Sequence, residues 1–380
     1  MNVKTQTKPP STEDIICALS ERALPLFYHG NPVLNLPGMH SGWVPRLVDI
    51  VNAVERIARS QKPLFRHIRT PQGGIAIRSD ELGRDVAGLL AMPAHHLRQS
   101  LVLYDLDPRV DMFWDEADRR GLATVVAVQP WTDESLVLAS VDALNGFVQA
   151  VRQRHARKGF QSKVNAHVRA TLKNYTALKG YLMAILQLHP RLLPITLDFT
   201  YRNGAPSGAA DAVPALKIVS SHLASLVENV RTTFGDAVLG HAWSQDAMLG
   251  CGNVGHLLLL LKDDIDSNES FALAHEVARS WRDDVTGGDG CAYNNLAAND
   301  LRFRFRGISQ DERRYTPVEE HLRRMAVYLR WTDRFAALKR SPGVQTHGMG
   351  TVPKVPRAAS TRAAYPFPEM LGSGPWATRL

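Results

Sequence analysis

Cysteine is scarce in this chain: three residues in 380, Cys17, Cys251 and Cys291. No two share a CxxC spacing, which excludes a zinc knuckle or ribbon. So sparse and odd a count also excludes a disulfide scaffold and fits a reducing compartment, the cytoplasm. Long apolar runs are missing too. The five leucines Leu257–Leu261 fall far short of the ~20 residues that cross a bilayer, and polar Met1–Pro10 has no apolar signal core. Membrane partners are therefore not expected. What is present is an ordinary apolar fraction of 44%, enough for a sizeable core, and a net charge of +8. A basic protein suits polyanions, nucleic acid above all.

One absence is local. From Ala143 to Leu197 there is no Asp or Glu, while Arg152, Arg154, Arg157, Lys158, Lys163, Arg169, Lys173, Lys179 and Arg191 all fall there. A solvated helix usually mixes signs and gains i,i+4 pairs. A one-sign stretch suits a phosphate-tracking face, with a merely soluble surface as the plainer alternative.

The chain divides by its grammar. Residues 1–10 read as disordered, 11–158 as a mainly helical region of unknown role, 159–340 as an α+β domain, and 341–380, rich in Pro, Gly, Ser and Arg, as a flexible tail. Ser11-Thr-Glu-Asp14 is a capping box. Helices are expected over Trp43–Gln61, Asp80–Met92, Glu134–Arg157 and Ser162–Gln187, with Gly159 and Gly180 as interruptions. Ala123–Val128 reads as a short strand. Beyond Pro190, strands are expected at Leu192–Tyr201, Val238–Met248, Val254–Leu261 and Leu301–Ile308. Helices are expected at Val213–Phe234 and Ser270–Asp283, and from Thr316 to about Arg340. That order predicts an α+β fold, a mostly antiparallel sheet with helices on one face.

The leucine run reads as a strand buried on both faces, and it begins with His256. Tyr328 lies in the middle of the last expected helix. A lone histidine at such a place also suits plain core packing, and Tyr328, Trp331 and Phe335 form an aromatic stripe at helical spacing that suits packing equally well. Cation-bearing Arg302, Arg304 and Arg306 alternate with apolar Leu301, Phe303 and Phe305, as on a half-buried strand with a basic outer face.

Several blocks in one order, LLPITLDFTYRN, GHAWSQDA, GNVGHLLLLL, TGGDGCAYNNL, AVYLRWTDRF and QTHGMG, resemble the inovirus gene-two-protein-like family, also described by the YagK/YfjJ-type C-terminal domain. The resemblance covers roughly residues 160–350. It implies an HUH-endonuclease-like (RRM-like) fold and a rolling-circle replication initiator of phage or mobile elements. In such enzymes a His-x-His strand and a further polar residue hold Mg or Mn, and a helix tyrosine attacks single-stranded DNA. Carried onto this chain, the resemblance makes Tyr328 the catalytic residue and His256 and Asp246 metal ligands. Val254 stands where the first histidine belongs and Trp331 where a lysine belongs, so the motif is incomplete. His241, five residues before Asp246, faces the other side of its strand and does not replace the missing ligand.

Two functional expectations follow. One is an initiator-like protein with metal-assisted tyrosine nicking, binding DNA through Arg152, Arg154, Arg157, Lys158, Lys163, Arg169, Lys173, Arg302, Arg304 and Arg306. The other is a relative that binds single-stranded nucleic acid as a regulator or accessory factor without cutting it. An RNA-binding or scaffolding domain on a similar sheet is a third, plainer possibility.

Overall fold

A computed structural model describes residues 43–71, 73–92, 98, 101–122, 125, 133–204, 212–248, 252–262, 267–294, 317–339 and 341–351, with a few positions between 10 and 32. The expected strand Leu301–Ile308, with Arg302, Arg304 and Arg306, lies outside these residues. So does Ala123–Val128, except Val125, which is helical.

The N-terminal part is helical where its periodicity demanded it. Helix α1, Trp43–Arg59, buries Leu47, Val48, Ile50, Val51, Val54 and Ile57, the 3.6-residue stripe of an amphipathic helix. A hairpin follows, β1 Phe65–Arg69 with β2 Ile75–Ser79. Its turn places Gly73 at φ +83°, a left-handed conformation that glycine adopts at little cost. Helix α2, Glu81–Leu90, starts under the Asp80 carboxylate, which accepts from the Gly83 N–H at 2.7 Å. After the three-residue strand β3, Tyr104–Leu106, Asp107 caps α3, Pro108–Arg119, with proline at the first helical position. The same Asp107 carboxylate holds buried Arg109, whose guanidinium also reaches Glu55 on α1 at 2.7 Å. Ser11 and Asp14 bond each other's backbone reciprocally, as a capping box does.

Two long helices lead into the sheet: α4, Glu134–His155, and α5, Lys158–Leu188. The expected break between these helices falls at Ala156–Arg157, just before Gly159, whereas the expected interruption at Gly180 does not occur. Gly180 lies within α5 with open space where a Cβ would be. A glycine costs an exposed helix only ~1 kcal/mol against alanine, too little to break a helix packed along its length.

Next come β4 Leu192–Tyr201, α6 Ala212–Phe234, β5 Val238–Met248, β6 Gly252–Lys262, α7 Ser267–Ser280, a π-helical turn Trp281–Val285, and β7 Gly290–Asn294. Helix α8, Val318–Arg330, continues as a 3-10 turn, Trp331–Arg334, and is followed by β8 Ala336–Leu338 and β9 His347–Met349. The five-stranded sheet has the order β9-β5-β6-β4-β7 and every pairing in it is antiparallel. The protein is an α+β fold, as expected.

Helices lie on both faces of the sheet, not one. Leu257, Leu259 and Leu261 pack with Val219 and Leu223 of α6 and Val277 of α7. Leu258 and Leu260 pack with α8, α5 and the N-terminal helices in one core that runs from Ile15 to Phe335. Five consecutive leucines leave no solvent face, so both sides must be covered. Two further expectations are corrected. The last helix stops at Arg330 instead of about Arg340, because Ala336–Leu338 pairs with β3. Residues 347–349, inside the expected tail, form the edge strand β9.

Candidate functional site

The sheet register builds a row of side chains on one face. His347 of β9 lies opposite Ser244 of β5, Ser244 opposite His256 of β6, His256 opposite Asp198 of β4, and Asp198 opposite Tyr293 of β7. Directly paired residues point the same way, so five potentially polar groups line up across five strands. The ends of the row are half-buried and its centre is sealed.

At the centre His256 and Tyr328 meet. The Tyr328 hydroxyl lies 3.2 Å from His256 Nδ1, with the rings edge to face at 5.1 Å between centroids. The same Nδ1 is 2.5 Å from Asp198 Oδ1. A carboxylate only accepts, so Nδ1 carries the proton and donates it to Asp198. Tyr328 oxygen can then share that N–H, but His256 cannot draw a proton from the phenol through this nitrogen. His256 and Asp198 are each 2% exposed and Tyr328 1%. His256 Nε2 and the neighbouring Ser244 Oγ have no hydrogen-bond partner among the described residues.

Asp246 is occupied otherwise. It is 4% exposed, and its Oδ1 accepts the hydroxyl of Tyr104 and the Ala247 N–H. Tyr104 belongs to β3, so the N-terminal region reaches over and holds this carboxylate. The described residues contain no group of three or more His, Cys, Asp or Glu that could hold a metal ion. Val254 is fully buried in the sheet. Trp331 packs edge-on against Tyr175 of α5 at 5.0 Å. Both departures from the initiator motif serve as core.

Sequence reasoning missed Asp198 and Tyr104. Asp198 left a signal, an acid within a ten-residue strand buried throughout, which requires a buried partner. Tyr104 left none. His241, opposite Leu259, is out of step with Asp246, opposite Val254. Burial, with help from Arg231, pushes its imidazole down to about 4.

The basic residues separate into two sets. Arg152 donates to the carbonyls of Ile57 and Lys62 at 3.2 and 2.7 Å. Arg154 pairs with Asp115 and Glu116, both at 3.2 Å. These two tie α4 to the N-terminal segments beneath it. Arg157, Lys158, Lys163, Arg169 and Lys173 are exposed; Lys163 acts on the Asp111 carboxyl, against the effect of that group's burial. At 100° per residue Lys158, Arg169 and Lys173 fall within about 60° of each other on α5, whereas Lys163 lies about 80° or more around the helix from each of them. From Lys158 to Lys173 the helix rises about 22 Å. No known protein-family model matches this chain, and no curated protein or solved structure is significantly similar to it. Fold and geometry therefore define the class alone: an α+β protein with a sealed polar row and an open cationic helix. No helix among the described residues is long and apolar enough to cross a membrane.

Proposed function

We propose that this protein binds single-stranded DNA along the outward face of α5 and works as an initiator-like DNA-binding factor without cutting its ligand. The observation that carries the reading is the set of exposed cations Lys158, Lys163, Arg169 and Lys173 on a helix that contains no acid. About 22 Å of such a face meets about six phosphates at ~3.4 Å per nucleotide. Small polar residues between the cations, Ser162, Asn165 and Thr176, are exposed too and leave a backbone room to approach. The absence of nicking is supported by the burial of Tyr328 and His256 and by the proton that Asp198 holds on Nδ1. The test is binding of labelled oligonucleotides at several salt concentrations. Affinity should fall steeply with salt, with a slope of about −0.7 per phosphate contacted. Binding that ignores salt, or that survives reversal of Lys158, Arg169 and Lys173 to glutamate, refutes the reading.

One observation favours a second reading, tyrosine nicking: Tyr328 and His256, far apart in sequence, lie within 3.2 Å. A covalent adduct formed on single-stranded DNA with manganese, and lost in Tyr328→Phe, would establish it in place of the first.

A further inference from the structure

We infer that the hairpin of β1 and β2 is a second nucleic-acid element, one that enters the major groove of duplex DNA and is separate from the single-strand face of α5. From Gln61 to Ser79 the sequence holds no Asp or Glu and carries Lys62, Arg66, Arg69 and Arg78. The three arginines are exposed, and no described acid lies in ion-pair contact with them. The acids that follow in sequence are committed elsewhere. The Asp80 carboxylate caps α2, and Glu81 and Asp85 both hold Arg56, at 3.1 and 2.7 Å. The register sets two of the arginines side by side. Arg66 lies directly opposite Arg78, and Ile68 opposite Ala76. Directly opposed residues share a face, and like charges so placed destabilise a pair of strands. No described acid offsets that repulsion, whereas an anion against the two guanidiniums would.

The hairpin is held at its base and open towards its tip. Asn145 of α4 accepts from the Phe65 N–H at 3.3 Å and donates to the Phe65 carbonyl at 2.8 Å. Phe65 is buried, and Ile77 on the same face packs against the core. The other face, with Arg66, Arg78, Ile68 and Ala76, therefore turns outwards, and Ile68 is 36% exposed. The five residue pairs at ~3.4 Å each make a ribbon about 17 Å long, the rise of about five base pairs. Its strands lie ~4.8 Å apart, and a major groove about 12 Å wide admits such a two-stranded ribbon. There Arg66 and Arg78 meet acceptors, guanine O6 and N7 or the flanking phosphates, and Ile68 offers an apolar contact to a thymine methyl. A single strand is the poorer occupant. It is gripped by stacking its bases on aromatic rings, and Phe65 is sealed, which leaves only the His67 imidazole exposed among the described rings of the hairpin.

The experiment titrates the full chain with a labelled duplex of mixed sequence at several salt concentrations, and separately with a single strand of equal length. The wild type should bind the duplex with an affinity that falls as salt rises. Arg66→Thr with Arg78→Thr keeps β-favouring residues at both positions. This double variant should weaken duplex binding about tenfold and lower the salt slope by about two contacts. Its single-strand affinity should be unchanged, and its melting temperature should not fall, because a repulsive pair has been removed. Arg69→Gln, nearer the tip, should lower the duplex slope by about one contact. No salt-dependent binding of the duplex, or duplex binding indifferent to both variants, overturns the inference. Equal losses for duplex and single strand in the double variant overturn it too, by making the hairpin part of single-strand binding. Competition by polyglutamate as strong as by duplex at equal charge overturns it in favour of an acidic protein partner. The α5 reading survives each of these results, because single strands alone test it.

Discussion

The sealed row through Asp198, His256 and Tyr328 and the open face of α5 stand in instructive contrast. Both concentrate polar groups, and α8, which carries Tyr328, packs against α5 through Trp331 and Tyr175. At the centre of the row every group is out of water, so each must find its partner within the protein or remain unsatisfied at a cost. On α5 Lys158, Arg169 and Lys173 are exposed and make no ion pair with a described acid, while Lys163 faces Asp111 across a cavity. The row therefore specifies how sheet and helix fit, and the face is free to meet a ligand. Burial commits polar residue types to partners inside the protein, whereas an exposed lysine keeps its charge at the surface.

Four experiments break or sharpen this contrast, ordered by expected effect. Asp198→Ala removes the acceptor from a buried imidazole and should destabilise the fold by about 3 kcal/mol or more in denaturant unfolding. A loss within the error of the measurement would mean that the row does not organise the core. On the other side, Lys158→Glu with Arg169→Glu should weaken oligonucleotide binding by about tenfold or more and flatten the salt slope by about two contacts. The same double variant should unfold within ~0.5 kcal/mol of the wild type. Parallel losses of binding and stability would erase the contrast. Tyr328→Phe should cost about 1 kcal/mol for one buried hydroxyl and leave DNA affinity unchanged, and neither it nor the wild type should nick single-stranded DNA. A fall in affinity would bring Tyr328 into the binding surface.

The smallest effect concerns His241. Its folded pKa, about 4, lies below the unfolded value of ~6.5, so the unfolded chain binds the extra proton between these limits. Stability from this group is fully present above pH 6.5 and is lost as pH falls towards 4. With partial exposure discounted, the loss should be on the order of 1 kcal/mol. His241→Gln should flatten that part of the stability-pH curve relative to wild type. Identical curves would place His241 in water.

Much of the fold was legible. Leu192–Tyr201 and Val238–Met248 have the expected boundaries, because β-branched and apolar runs end at turn residues on both sides. Asp80 and the Ser11–Asp14 box mark helix starts through local hydrogen bonds that need no tertiary partner. The three-residue strands β3, β8 and β9 were not legible, since their pairing partners lie elsewhere in the chain: Leu338 opposite Tyr104, His347 opposite Ser244. Their own residues carry no period long enough to detect. The meeting of His256 and Tyr328 was posed by the sequence as a question, but the acid beside them was assigned to Asp246. Tyr104 took Asp246 and Asp198 took the imidazole, a matter of register that one-dimensional spacing does not contain.

The chain by itself determined an α+β protein with a doubly buried leucine strand and an acid-free basic helix, because periodicity and charge are properties of the order of residues. Only the tertiary structure decided which of those charges face water and which polar groups are shut away. It tied Arg152 and Arg154 down and left Lys158, Lys163, Arg169 and Lys173 open. Exposure depends on what packs against a residue from distant parts of the chain.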